Sequence, residues 1–188
     1  MVATRILLFA FFAFGLAHLP AQTPGPHFQK FGLDEGLSSA TVLQFLTDAK
    51  GYGWVATGNG LSRFDGYGFY NFNEKAGLQD DAIAAIETGN EGELWIVTNA
   101  GKVYLHRGDS LRQSPCSKVV QGYKNRFLSP HGMAWNPRDQ SLYIALGGLG
   151  ILKIRATGDR HEVIRPQHKR DLLAIIAGNK WLTEFRNY

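Results

Sequence analysis

A repeat with a spacing of 41 residues constrains the fold of this chain more than any other feature of the sequence. Gly36-Leu37 recurs as Gly77-Leu78, and Trp54, Thr57 and Gly60 recur in the same register as Trp95, Thr98 and Gly101. Each copy contains four short β-prone runs separated by turns, which in the first copy are residues 42–47, 54–57, 61–64 and 69–72. A period of about 40 to 45 residues with four strands per unit is typical of β-propeller blades.

Two further units follow with weaker repetition. The third contains β-prone runs at 131–136, 142–146, 150–155 and 162–164, with Tyr143 at the place of the tryptophans. The fourth contains Trp181 and is cut short at the end of the sequence. We therefore expect an all-β, partial β-propeller of about three and a half four-stranded blades. The expected blades span residues 36–73, 77–112, 130–165 and 171–188.

This unit count predicts an incomplete ring, because propellers usually close with about four to eight blades. We interpret residues 22–188 as the N-terminal fragment of a longer propeller, and expect it to leave open sheet faces. Two segments lie outside the regular repeat. The polar interval 115–129 is expected to be an inter-blade loop or a degenerate outer strand, and residues 27–31 form a candidate strand before the first blade.

An apolar run near the N-terminus predicts export. Residues 6–16 follow Arg5 and are too short to span a bilayer, and together these features are typical of a secretory signal peptide. We place its cleavage after Ala21, with Ala17 as the alternative, so residues 1–21 are the expected signal peptide. The mature protein is then periplasmic or extracellular. No later apolar run is long enough for a membrane helix.

Composition narrows the classes of function. The net charge of +4 falls by one on removal of Arg5, and the basic residues between 153 and 170 alternate with acidic ones. This pattern indicates a solvated strand surface and argues against nucleic-acid binding. The 22 glycines fit a protein rich in turns. Cys116 has no second cysteine with which to form an internal disulfide.

Four residues are the candidates for ligand binding: Arg63, Asp65, Tyr67 and Trp135. The first three differ between the two copies of the repeat, and Trp135 lies outside the register of the other aromatic residues. The repeat positions are interpreted instead as blade structure, because large aromatic residues dominate packing between sheets. These structural positions are Trp54, Thr57, Gly60, Trp95, Thr98, Gly101, Tyr143 and Trp181. The sequence contains no catalytic motif and no metal-ligand spacing.

The first blade resembles the two-component regulator propeller repeat, which occurs in the exported sensor regions of hybrid histidine kinases. The resemblance is carried by Gly36-Leu37-Ser38-Ser39, Trp54-Val55-Ala56-Thr57, Gly60-Leu61 and Arg63-Phe64-Asp65-Gly66. It is strongest over residues 28–106. Gly53 and Ala56 depart from the usual pattern of the family, and Tyr104-Leu105-His106 replaces the Arg-Phe-Asp expected in the second blade.

The resemblance implies a ligand-sensing domain, often for carbohydrate fragments, that is non-catalytic by itself and needs no cofactor. In such proteins the remaining blades and a kinase region follow, and the full-length proteins form homodimers. Residues 27–31 resemble the strand that closes the ring against the last blade. Two alternatives remain open. In one the chain is a fragment of an exported propeller enzyme, such as a lyase or glycosidase, and in the other it is part of a propeller that binds a protein partner.

Overall fold

A computed structural model describes residues 28–80, 82–90, 92–126, 132–146 and 149–165. The chain divides into two units, Met1–Lys30 and Phe31–Tyr188, and the architecture below is that of the second unit. The expected signal peptide, the fourth blade and Trp181 lie outside the described residues.

In the part of the chain that the structure describes, twelve strands form three sheets, and each sheet is a four-stranded antiparallel meander in chain order. The first sheet contains β1 (Val42–Thr47), β2 (Gly53–Thr57), β3 (Gly60–Phe64) and β4 (Phe69–Phe72). The second contains β5 (Ile83–Thr88), β6 (Leu94–Thr98), β7 (Val103–Arg107) and β8 (Ser110–Gln113). The third contains β9 (Met133–Asn136), β10 (Ser141–Leu146), β11 (Gly150–Arg155) and β12 (His161–Ile164).

The all-β propeller fold expected from the repeat is therefore confirmed over the described residues. In the first and third blades every strand begins and ends within two residues of the run from which it was predicted. The predicted and observed strands agree because the repeated glycines lie in the hairpin between the second and third strands of the first two blades. Gly60 and Gly101, at φ of 113° and 80°, take the left-handed conformation that glycine adopts without steric cost.

The repeated threonines also have a structural position in the blade. Thr57 is fully buried at the end of β2, where its hydroxyl donates to the carbonyl of Gly60 at 2.9 Å and lies 2.9 Å from the hydroxyl of Ser38. Thr98 donates to the Asp80 carboxylate at 3.2 Å. Each threonine thus ties the loop that opens its blade to the second strand of that blade.

The sheets pack face to face through two apolar cores, and β6 contributes to both. Leu94 and Ile96 belong to the core that also contains Trp54, on the first sheet. Trp95 and Val97 belong to the core that contains Trp135, on the third sheet. This arrangement follows from the alternation of side chains along a strand, which gives a central blade two buried faces. All five residues of β6 are buried.

The interval after the second blade connects it to the third, as expected of an inter-blade segment, but its residues 117–126 are helical, so the alternative of an outer strand there is wrong. A short helix, α1 (Ser117–Val120), continues into a 3₁₀ helix at Gln121–Arg126. The segment buries the side chains of Cys116 and Val120 completely in the core between the second and third sheets. Its position is fixed by the Ser117 hydroxyl, which accepts from the Val103 amide at 2.9 Å and donates to the Val103 carbonyl at 3.0 Å.

The segment before the first blade also differs from expectation. Residues 28–31, the described part of the candidate strand 27–31, are not in a strand. The ring of Phe31 instead packs edge to face against Phe64, with centroids 4.6 Å apart. On the same sheet, Val42 and Phe45 of β1 are 49% and 60% exposed.

Candidate functional site

The most concentrated group of polar and aromatic side chains lies at one end of the first sheet. We call it the arginine cluster and define it as Tyr52, Trp54, Arg63 and Tyr70, together with His106 from the second sheet. The strand register creates it, because Trp54 on β2 lies opposite Arg63 on β3, which lies opposite Tyr70 on β4. These three side chains therefore share one face of the sheet.

Arg63 is held by aromatic rings. Its guanidinium carbon lies 4.7 Å from the ring centroid of Tyr52, 5.9 Å from that of Trp54 and 5.6 Å from that of Tyr70. Each distance is within the range of a cation–π interaction. Among the described residues Arg63 has no hydrogen-bond acceptor and no acidic ion-pair partner, and its buried Nε atom is unsatisfied. The cluster therefore orients a positive charge without neutralising it.

Asp48 fixes the floor of the cluster. This buried carboxylate accepts from the amides of Lys50 and Tyr52 at 2.9 and 3.0 Å through one oxygen, Oδ1. Its other oxygen, Oδ2, accepts from the indole nitrogen of Trp54 at 2.8 Å. Asp48 thus joins the turn before β2 to the indole, and its hydrogen bonds go to these donors and not to Arg63.

His106 closes the cluster from the second sheet. Its ring lies edge to face with Trp54 and Phe72, at centroid distances of 4.8 and 5.3 Å. The residue is 4% exposed, and neither ring nitrogen has a partner among the described residues. Burial, followed by the positive charge of Arg63, lowers the pKa of His106 below its ordinary value of 6.5. The imidazole is therefore neutral at pH 7.

The two other candidates from the first blade lie in the turn after Arg63. Asp65 accepts from the amides of Tyr67 and Gly68 at 2.9 and 3.0 Å, and these backbone hydrogen bonds, the Tyr67 bond first, lower the pKa of the Asp65 carboxyl. Asp65 therefore stabilises the turn, as aspartate commonly does. Tyr67 is 93% exposed at its tip. Arg63, Asp65 and Tyr67 therefore lie on one hairpin, Arg63 in β3 and the other two in the turn that follows it.

Trp135 lies apart from the arginine cluster. It is 9% exposed and stacks on Trp95, with centroids 5.3 Å apart and an interplanar angle of 26°. Its indole nitrogen donates to the Asn90 side chain at 3.1 Å. The structure therefore places Trp135 in the interface between the second and third sheets, and its role in ligand binding stays a prediction.

The third blade also combines an aromatic residue, a cation and an acid, but there the acid pairs with the cation. Tyr143 lies opposite Lys153 in the register, as Trp54 lies opposite Arg63. Here the acid binds the cation, because Asp139 accepts from the Tyr143 hydroxyl at 2.9 Å and pairs with the Lys153 ammonium at 3.0 Å. Although burial raises it, these hydrogen bonds hold the pKa of Asp139 below its ordinary value.

The second blade has lost this constellation. Gly89 stands where the first blade has Asp48, Leu105 stands opposite Trp95 in place of a cation, and the indole nitrogen of Trp95 has no described partner. A groove of about 580 Å³ at this end of the second blade is lined in part by Glu93 and Arg107, which form an ion pair.

A groove of about 620 Å³ lies along the third sheet and is lined by side chains of both charges, including Asp139, Lys153, Arg155 and Glu162. Within the described ranges no group of three or more histidine, cysteine or acidic side chains is placed to hold a metal ion. The helices in the same ranges are all too short or too polar to cross a membrane.

Comparison with solved structures finds the same fold elsewhere. The chain is similar to the extracellular domain of a protein assigned to a hybrid two-component system of B. thetaiotaomicron, with a TM-score of 0.55 and 19% identity. That match covers 73% of this chain and 20% of the solved one. An extracellular domain assigned to a one-component system of the same bacterium matches with a TM-score of 0.48 and 19% identity, over 71% of this chain and 17% of the solved one.

The chain thus spans about a fifth of the length of the structures it matches. At 19% identity the first likeness shows the fold alone, and it agrees with the three propeller blades described above. No protein-family model and no curated protein matches the chain.

Proposed function

We propose that the chain is part of an exported, ligand-sensing β-propeller of a two-component regulatory protein and is non-catalytic by itself. The observation that carries the proposal is the succession of three four-stranded blades, which the chain shares with the extracellular domain assigned to a hybrid two-component system. The resemblance of the first blade to the two-component regulator propeller repeat supports the same conclusion. In the parent protein, further blades and a kinase region would follow, and the sensor would act as a homodimer.

The arginine cluster is the proposed ligand-binding surface. Tyr70, which is 55% exposed, lies opposite Arg63 in the register, and Tyr67, which is 93% exposed, lies in the turn of the same hairpin. Exposed tyrosine rings suit the apolar faces of sugar rings, and a guanidinium supplies several hydrogen-bond donors in a fixed geometry. Carbohydrate fragments, the ligand class implied by the resemblance, fit such a surface.

A thermal-shift screen of the full chain against neutral and acidic oligosaccharides tests this proposal. A ligand at about 100 times its Kd stabilises the folded state by about 2.7 kcal/mol, which is a readily measured rise in the unfolding midpoint. We expect Tyr70→Ala to reduce the rise. Leu33→Ala, at a loop residue that is 58% exposed, is the matched control and should leave the rise unchanged.

The same samples distinguish a sensor from an enzyme. After incubation, each oligosaccharide should be recovered intact by chromatography. New products that form in proportion to protein concentration would contradict the non-catalytic proposal and favour a lyase or glycosidase. A panel without any saturable ligand would contradict the proposed ligand-binding surface.

A further inference from the structure

The charge on Arg63 is the least balanced feature of the first blade. Three aromatic rings hold the guanidinium at centroid distances of 4.7 to 5.9 Å, which fixes its position without supplying a counter-charge. The arrangement differs from an ordinary surface arginine because the side chain is half-buried and its Nε donor is fully buried. Its donors have no acceptor among the described residues.

The nearby acids are occupied elsewhere. Asp48 directs both carboxylate oxygens to the turn amides and to the indole of Trp54. Asp65 accepts two amides of its own turn, and although the charge of Arg63 is among the smaller causes that lower the pKa of its carboxyl, the two side chains form no hydrogen bond or ion pair. Asp109, on the second sheet, contributes to the electrostatic environment of His106, and Lys50 adds a positive charge to the same environment. None of these three acids forms an ion pair with Arg63.

The third blade shows what a balanced version of this arrangement looks like. Lys153 occupies the position of Arg63 relative to the aromatic residue of the second strand, and Asp139 neutralises it at 3.0 Å. Arg107 in the second blade is likewise paired with Glu93. Lys153 and Arg107 therefore pair with acids, whereas Arg63 forms no ion pair within the described part of the chain.

We propose that Arg63 binds an oxyanion of the ligand, which is a carboxylate, sulfate or phosphate group. A guanidinium fork matches the geometry of these groups and binds them through charge-assisted hydrogen bonds. Tyr52 and Tyr70 flank the bound group, and their hydroxyls, which make no hydrogen bond to a described residue, are available as further donors. This inference rests on the proposed ligand-binding function and adds the chemical class of the group recognised.

The test uses the full chain in low-salt buffer with three probes, inorganic sulfate, glucuronate and glucose. Glucose is the neutral counterpart of glucuronate and separates recognition of the anion from recognition of the sugar ring. Titration calorimetry gives the affinity, and the NMR signals of the Arg63 guanidinium show whether its environment changes when the anion binds. We expect saturable binding of sulfate and glucuronate with a Kd of about 1 mM or tighter, and no comparable binding of glucose.

The variants separate loss of the site from loss of the fold. Arg63→Gln should weaken glucuronate binding by at least about 10-fold, which is the loss of one charge-assisted hydrogen bond. Tyr70→Phe keeps the ring and removes only the hydroxyl, so it should weaken binding by about 3-fold with the fold intact. Arg112→Gln removes the same charge from an exposed residue of β8 and should change the Kd less than 2-fold.

The absence of saturable binding of both anions would overturn the inference, and so would equal affinity of the native chain and Arg63→Gln. Neutral oligosaccharides that bind in the thermal-shift screen with affinity independent of Arg63 would leave the ligand-binding function standing and refute the anion site alone. Glucose binding as tight as glucuronate binding would refute it as well.

Discussion

Replacing Asp48 should destabilise the first blade because three donors depend on this carboxylate. The indole nitrogen of Trp54 donates to it inside the core between the first and second sheets, where the tryptophan is 1% exposed. The amides of Lys50 and Tyr52 donate to it at the turn. Asp48→Ala removes the acceptor and introduces no replacement, so the buried indole loses its partner outright.

The magnitude follows from the burial of the three donors. An unsatisfied buried donor costs about 1–3 kcal/mol, whereas a half-buried amide that regains water costs about 0.5 kcal/mol. Asp48→Ala should therefore lower the free energy of unfolding by about 2–4 kcal/mol. Asp48→Asn keeps one carbonyl oxygen, which can accept from the turn amides or from the indole but not from both, and its NH2 group faces the other donor; it should lower the free energy of unfolding by about 1–3 kcal/mol. Asp34→Ala, at an exposed turn residue, is the control and should change it by less than about 0.5 kcal/mol.

Urea unfolding followed by tryptophan fluorescence measures these differences through linear extrapolation. A double-mutant cycle with Trp54→Phe, which removes the indole donor, isolates the Asp48–Trp54 hydrogen bond. The two substitutions should be coupled by about 1 kcal/mol. If Asp48→Ala behaves like Asp34→Ala, or if the coupling is absent, the carboxylate does not anchor the indole and our account of the first blade is wrong.

Three further predictions concern burial and turn geometry. Gly101→Ala should lower the free energy of unfolding, measured in urea, by at least about 3 kcal/mol, because φ of Gly101 is 80° and a Cβ there would lie 2.8 Å from Gln121. Gly108 has a φ of 60° and open space around it, so Gly108→Ala should lower this free energy by about 1–2 kcal/mol only. Burial lowers the pKa of His106 in the folded state, so the contribution of the neutral imidazole to stability is complete above about pH 6.5 and is lost as pH falls through the folded pKa. His106→Phe should therefore reduce the difference in unfolding free energy between about pH 7.5 and pH 5. An unchanged difference would contradict the lowered pKa of His106. Cys116 is fully buried, and burial raises the pKa of its thiol. Labelling of Cys116 by a thiol reagent should therefore be at least about 100-fold slower in native buffer than in urea. Equal labelling rates would show that the core between the second and third sheets is open.

The sequence predicted the strands well because this fold repeats its turns. Gly60 and Gly101 must occupy left-handed positions, and such requirements remain visible in a sequence even where side chains vary. The helix at residues 117–120 was missed for the opposite reason. Four residues carry too weak a periodicity for prediction, and the segment is helical because tertiary contacts of Cys116 and Val120 hold it.

The arginine cluster could be predicted only in part. Arg63 and Tyr67 were recognisable as residues that vary between copies of the repeat. The partners of Arg63 were not, because Tyr52 and Tyr70 meet it through cross-strand register and through packing across a turn. A register drawn from the Gly60 hairpin would have placed Trp54 opposite Arg63, and this was the signal that remained unused.

The differences between the blades explain how a repeated fold acquires a distinct site. In the third blade Asp139 neutralises Lys153, and in the second blade Leu105 replaces the cation, so neither copy presents a free charge from this position. In the first blade the corresponding acid, Asp48, is satisfied by the turn amides and the indole. The carboxylate that stabilises the first blade therefore forms no ion pair with Arg63, and the proposed anion site would depend on the hydrogen bonds of Asp48. Loss of Asp48 should consequently disturb anion binding as well as folding, even though this carboxylate makes no ion pair with Arg63.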